Sequence, residues 1–569
     1  MRHRPRCAVC RGKLLTGVPP FLTPRRVPSC RPPAARLLPL GLLLAALPLA
    51  WGCGHKHHAN SRAVGNVFRY AIKTAPTTFD PAIVEDGDTI DVLQQIFEGL
   101  VQWSPDNKVV PCLASKWDVS RDGLTYTFHL RPNVKFQDGG PVTASDVLYS
   151  MQRALQPALG SPDARNYLGD IVGAKELAAG KATALAGVKV LDPQTVRITL
   201  TSPRAYWIDT LTYPTAYVVS RAEAKEGVRL SAEDAARGAG TGAFKLTRYD
   251  KDQRVVLAAN AAYWGGPPRI AGIERPVVID ANTRHALYAQ GDTDMLQFVS
   301  PGDLDNDAKD PGLKGQVHLF PRASTFYVGL NQKAFPAFRD VRVRQALAYA
   351  TDKSKIVQVV FGGRRDVAQD ILPEGIPGFD PAFRGLPYDP AKAKALLAAA
   401  GFPGGKGFPT IPMTYRESQP ELQKTVDLIR GMWNDTLGVK VDGRVTEWSA
   451  MIDQQDKNAL ECYHIRWAAD YLDPQDYYST LLRSGGPEDH VVYASPRFDA
   501  LCDRADVSQD PARRNALYRQ AARVAADDVP MIPLYYQQDV ELIKPYVSGI
   551  DDGLMGHLPY KHLTLAAPR

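Results

Sequence analysis

Apolar and polar positions alternate along Thr125-Tyr126-Thr127-Phe128-His129-Leu130, which puts Tyr126, Phe128 and Leu130 on one side of an extended chain. That is the pattern of a half-buried strand, and Thr195-Val196-Arg197-Ile198-Thr199-Leu200 repeats it. Between such segments the period lengthens to that of a helix. Thr143-Ala144-Ser145-Asp146-Val147 predicts a helix start, with Thr143 as N-cap and Asp146 in the capping-box position. Asp340-Val341-Arg342-Val343-Arg344-Gln345-Ala346-Leu347 opens a second helix with one buried face. Asp389-Pro390 starts a third over 391–400, and Gly401 stands where a left-handed C-cap is wanted. The run Gly238-Ala239-Gly240-Thr241-Gly242 predicts a hinge or a tight chain crossing. No apolar run of membrane-spanning length follows residue 53 and no solenoid period is present. Mixed signals of this kind describe an α/β or α+β protein of several lobes.

At 569 residues the chain exceeds one compact core, so two or three domains are expected. The net charge of +7 suggests an anionic partner until its placement is considered. Residues 1–52 hold nine basic residues and no acidic one, so the body from 53 to 569 carries a net charge of −2. It has no long basic run, and nucleic acid is excluded as a partner on that ground. The basic leader runs into the apolar stretch 37–50 and then Trp51-Gly52-Cys53-Gly54, the layout of a secretory signal followed by a lipoprotein processing site. Cleavage before Cys53 leaves its thiol to carry a diacylglycerol. Ala50 and Trp51 depart from the usual leucine and small residue, and an uncleaved anchor or an ordinary signal peptide are the alternatives. His55, Lys56, His57 and His58 then read as part of a flexible tether rather than a metal site. Of seven cysteines, Cys112, Cys462 and Cys502 lie in the body, and export permits two of them to pair.

Enzyme motifs are missing: no G-x-S-x-G, H-E-x-x-H, P-loop or dinucleotide fingerprint occurs. The reading is a protein that is not an enzyme and needs no cofactor or metal.

A set of longer motifs carries a positive signal. Leu113-Ala114-Ser115-Lys116-Trp117, Asp122 to Arg131, Phe136-Gln137-Asp138-Gly139 and Val142 to Val147 resemble the signature of the peptide-binding family of ABC-importer substrate-binding proteins. In family order follow Gly240 to Phe244, Asn260 with Tyr263-Trp264, Gly291 to Met295, Asn331 and Phe338 to Leu347. Val529 to Tyr536 and Leu542 to Val547 look like the oligopeptide-binding branch, and the resemblance covers roughly residues 66 to 550.

The resemblance implies an α/β, two-lobed periplasmic-binding-protein-like (type II) fold with an extra inserted domain and hinge closure. Lobe I is expected at 66–98, 225–323 and 537–569, the extra domain at 99–224 and lobe II at 324–536. It also implies a short peptide ligand gripped by its main chain, ABC permease subunits as partners, a monomer, and a periplasmic or outer-face location through the lipid anchor. Within Trp467-Ala468-Ala469-Asp470-Tyr471-Leu472-Asp473-Pro474 it places the ligand's α-ammonium on Asp470, while Asp473 before Pro474 reads as a turn residue. Trp467, Trp448 and Tyr536 are the expected aromatic lining, with core packing as the competing role. Tyr167 and the backbone near Glu85 and Gly87 are further candidates. Some relatives carry an arginine six residues before the aspartate to hold the peptide carboxylate. Here that place is His464, with Arg466 two residues on, and the family's partner histidine is replaced near Glu421, which leaves peptide length open. Nickel complexes, haem, sugars and cell-wall peptides are the alternative cargoes, and an extracellular hydrolase or chaperone is the alternative class.

Overall fold

The computed structural model describes residues 66–417 and 420–566. The leader, Cys53 and the 53–65 tether with its histidines therefore lie outside the described residues. Three sheets organise the rest. The first has Val67–Arg69 parallel to Gly272–Pro276, then Arg254–Ala259 and Phe244–Asp250 antiparallel. The second is antiparallel in the order Ala114–Val119, Thr125–Leu130, Thr195–Thr199, Val188–Asp192. The third is mixed and six-stranded: Met295–Leu296, Met531–Ile543, Val317–Leu330, Cys462–Ala468, Ile411–Arg416, Val441–Thr446.

Local patterns translate directly. Thr125–Leu130 alternates half-buried and buried positions along its whole length, and Thr143 and Asp146 form the expected capping box on the helix Ala144–Leu155. Asp340 and Asp389 cap the helices Val341–Tyr349 and Pro390–Ala399, and Gly401 follows at φ +99°. Across the third sheet the two-residue period separates two cores. Val328 and Leu330 pack with Met413, Trp433 and Ile532 on one face, while Tyr327 packs with Tyr463, Tyr477 and Tyr518 on the other.

The glycine run is a tight crossing. A Cβ on Gly240 would sit 2.1 Å from the Ile96 carbonyl oxygen, and one on Gly242 2.4 Å from that of Gln95. The motif residues around it converge on one buried carboxylate. Glu98 accepts hydrogen bonds from Thr241 (2.9 Å), Tyr263 (2.6 Å) and Trp264 (2.8 Å), and Gln137 ties the crossing down through the Gly242 and Phe244 carbonyls. Cys112, Cys462 and Cys502 are free, buried thiols, so none of the three pairs in this structure.

Two long strands, Val317–Leu330 and Met531–Ile543, run side by side along the third sheet, and their register breaks between Pro321 and Thr325. At that break Arg322 bonds Asp539 (2.6 Å) and Asp552 (2.9 Å). His557 continues the network, with Nε2 2.7 Å from Glu541 and Nδ1 2.8 Å from Asp552, the latter contact poorly aligned for a hydrogen bond. Burial alone would lower the His557 pKa, but Glu541 and Asp552 outweigh it and raise it to about 10. A raised histidine contributes stability that is complete below its unfolded value near 6.5 and is lost as pH climbs toward 10. Denaturant titrations from pH 6 to pH 10 are therefore expected to show a loss on the order of a few kcal/mol that His557→Gln lacks. Identical pH slopes for the two proteins would disprove this account.

Candidate functional site

The loop after Cys462–Ala468 is held at several points. Ala469 N–H donates to the Ala323 carbonyl (2.8 Å), and Asp470 N–H donates to the Asp476 carboxylate (3.1 Å). The same Asp476 oxygen receives the Trp467 indole N–H at 3.0 Å, and its other oxygen has no partner among the described residues. Asp473 accepts the Gln475 N–H (2.8 Å), as a turn aspartate does, and also forms a buried ion pair with Arg514 (2.6 Å). The backbone of 469–476 is thus pinned, and none of these hydrogen bonds uses the Asp470 carboxyl.

Around that side chain stand residues from distant parts of the chain. Tyr167 brings its hydroxyl to the Asp470 carboxyl and stacks on Tyr213 with ring centres 3.9 Å apart. Tyr206 stacks on Tyr471 at 5.6 Å. Burial pushes the Asp470 carboxyl up to about 7; the Tyr167 hydroxyl opposes this, and the charges of Asp163 and Glu488 add to it. Asp163 rises to about 6 through burial and the nearby Glu85. Asp476 behind the loop is pushed up by burial and by Asp470 itself, so the two titrate as a pair. Carboxyls thus crowd this end of the site and hinder one another's ionisation.

Four residues back the sign reverses. Arg466 is exposed, donates to the Gln537 side chain, and faces Arg416 closely enough for the two charges to repel. Arg416, at the end of Ile411–Arg416, lies 4.7 Å above the Trp448 ring. Trp448 opens the helix Trp448–Asp456, whose cap Glu447 accepts the Ser449 and Ala450 N–H groups at 3.0 Å each. Half-buried Arg416 has its pKa lowered by desolvation.

The other expected residues take up distinct positions. Glu85 and Gly87 are exposed at the start of the helix Gly87–Ile96. Trp467 is half-buried, with its indole committed to Asp476. Tyr536 donates its hydroxyl to the Asp370 and Leu372 carbonyls, both at 3.2 Å, and meets Phe379 edge-on. His464 is fully buried and stacks against Phe326; burial drives its pKa down to about 3, so the ring is neutral. Arg416, Asp163 and Asp476 were not foreseen. Arg416 reaches Arg466 through parallel pairing of Ile411–Arg416 with Cys462–Ala468, a contact between segments far apart in sequence that no local pattern signals.

Comparison with known proteins agrees with this architecture. The profile described as bacterial extracellular solute-binding proteins, family 5 Middle, matches residues 108–489. The probable deoxycholate-binding periplasmic protein YgiS of Escherichia coli is 31% identical over 493 residues, covering 85% of this chain and 90% of its own. The periplasmic oligopeptide-binding protein OppA of the same organism is 31% identical over 482 residues, covering 83% and 87%. The solved structure of the unliganded, open murein tripeptide-binding protein MppA superposes with a TM-score of 0.73 at 27% identity, covering 88% of this chain and 98% of its own. The fold is the two-domain α/β periplasmic-binding-protein type, and the chain belongs to the bacterial extracellular solute-binding proteins of family 5, which serve ABC importers as substrate-binding proteins and not as enzymes.

Proposed function

We propose that this protein captures short peptides by both termini, the α-ammonium at Asp470 and the α-carboxylate at Arg416 and Arg466, and delivers them to an ABC permease. The observation that carries the reading is the reversal of charge within one strand and its following loop. Arg466 and Asp470 are four residues apart, at most about 13 Å of extended chain. A two- or three-residue peptide spans about 7–10 Å, and the arginine side chain covers the remainder. Relatives with an arginine at the place of His464 hold the carboxylate two strand positions farther away, so the shift to Arg466 favours shorter peptides. Trp448 and Tyr167 supply apolar walls that do not demand one side chain.

In this reading the first sheet belongs to lobe I, the second to the extra domain and most of the third to lobe II, with closure about the two long strands and a lipid at Cys53. A bile-acid cargo, suggested by the deoxycholate-binding relative, would meet the arginines but leave Asp470 without a cation. Mass spectrometry of protein purified from membranes tests the proposal. Denaturation is expected to release intact two- and three-residue peptides with free termini, and the intact mass to include diacylglycerol on Cys53. Release of non-peptide carboxylates alone would overturn the peptide reading, and an unmodified Cys53 the anchor.

A further inference from the structure

The arginine end of the site holds more positive charge than one terminal carboxylate neutralises. Arg365 lies nearby, since it and Arg466 both stand within electrostatic reach of Asp539. Arg365 and Arg466 hydrogen-bond consecutive residues of one strand, the Gln538 carbonyl and the Gln537 side chain. None of the three arginines has a carboxylate within ion-pair distance among the described residues, although surrounding protein lowers the pKa of each.

The acids in electrostatic reach are mostly engaged elsewhere. Asp539 bonds Arg322 at 2.6 Å and Gln537 Nε2 at 2.7 Å. Asp88 lies 3.6 Å from Lys73 and accepts the Thr74 hydroxyl at 3.1 Å. Glu447 caps its helix. Glu417 and Glu421 remain, and neither pairs with an arginine among the described residues. Arg365 and Arg416 are half-buried and Arg466 is open to solvent, and one carboxylate from a bound peptide leaves two of the three without a partner. A guanidinium fork is shaped for a planar carboxylate.

We propose that this end of the site selects a ligand with a second carboxylate, an aspartate or glutamate side chain beside the terminal one, and that Arg365 and Arg466 select it. The inference rests on the peptide reading above and adds a specificity to it.

Calorimetry with Ala-Glu against Ala-Gln, and with alanine tripeptides carrying Glu or Gln at each position, isolates the charge because the pairs are nearly isosteric. At least one acidic peptide is expected to bind about tenfold or more tighter than its amide twin, with the ratio shrinking as salt rises. In R365Q or R466Q that ratio is expected to fall below about threefold. Equal affinities within about twofold for every pair in the wild type overturn this inference and leave the peptide reading standing. A preference that persists unchanged in both variants overturns the assignment to these arginines. No binding of any of these peptides overturns the peptide reading and this inference together.

Discussion

Asp470→Asn is expected to weaken binding of a peptide with a free amino terminus by roughly 30-fold or more. Asparagine keeps the shape of the side chain and removes its charge, so the loss reports the pairing with the α-ammonium. Truncating one partner of a buried charge pair costs about 2–5 kcal/mol, and 2 kcal/mol already corresponds to about 30-fold. N-acetylation of the peptide removes the opposite charge and is expected to cost the wild type a comparable factor. Both changes together are expected to be less than additive, since each destroys one shared contact. Proton linkage gives an independent readout. A carboxyl held near pH 7 must ionise to receive an ammonium, so affinity is expected to fall below pH 7, toward tenfold per unit, in the wild type alone. Calorimetry on the four combinations decides the matter; equal binding of free and acetylated peptides by the wild type would remove Asp470 from this role.

Arg153→Met is expected to destabilise the fold by about 3–5 kcal/mol, the largest effect away from the site. Arg153 and Asp80 are 1% and 0% exposed and bond through both guanidinium arms, one at 3.0 Å. Arg153 also caps the Lys225 and Val228 carbonyls, at 2.9 and 2.6 Å, while Asp80 takes the Ala82 and Leu230 N–H groups at 3.0 and 2.8 Å. One pair thus clasps three separate stretches of chain. Removing the arginine strands a carboxylate that the fold shuts off from solvent. Replacing both, as Asp80→Leu with Arg153→Met, is expected to cost less than the sum of the single changes. Urea unfolding followed by tryptophan fluorescence measures each; a single-variant loss under about 1 kcal/mol would show that the pair is solvated or dispensable.

The contrast between Glu98 and Arg416 explains what could be read from the sequence. Thr241, Tyr263, Trp264 and Gln137 all serve the crossing around Glu98, and they stand in the motifs that identified the family. Those motifs are scaffold, dense and locally ordered, so fold and family were legible. Strands such as Thr125–Leu130 and the three capped helices were legible for a similar reason, since their cause lies within a few residues. The site is assembled otherwise. Arg416, Asp470 and the short helix that carries Asp163 and Tyr167 come from segments joined only by tertiary pairing, and of these the motif around Asp470 and a resemblance at Tyr167 gave notice. His464 shows the limit from the other side: position in a motif suggested a ligand contact, while burial in the sheet gives it a neutral packing role in this structure.

The place of Met531–Ile543 inside the third sheet has a consequence for how the protein comes into being. That strand lies between Met295–Leu296 and Val317–Leu330, so neither neighbour has its full complement of backbone partners until residue 543 is available. The second sheet, by contrast, is complete once residue 199 has appeared. A chain that emerges N-terminus first can therefore mature one sheet early, while the other must wait with open edges for Met531–Ile543. During that interval the edge of Val317–Leu330 is open to wrong partners, which makes the arrival of Met531–Ile543 the step that closes it.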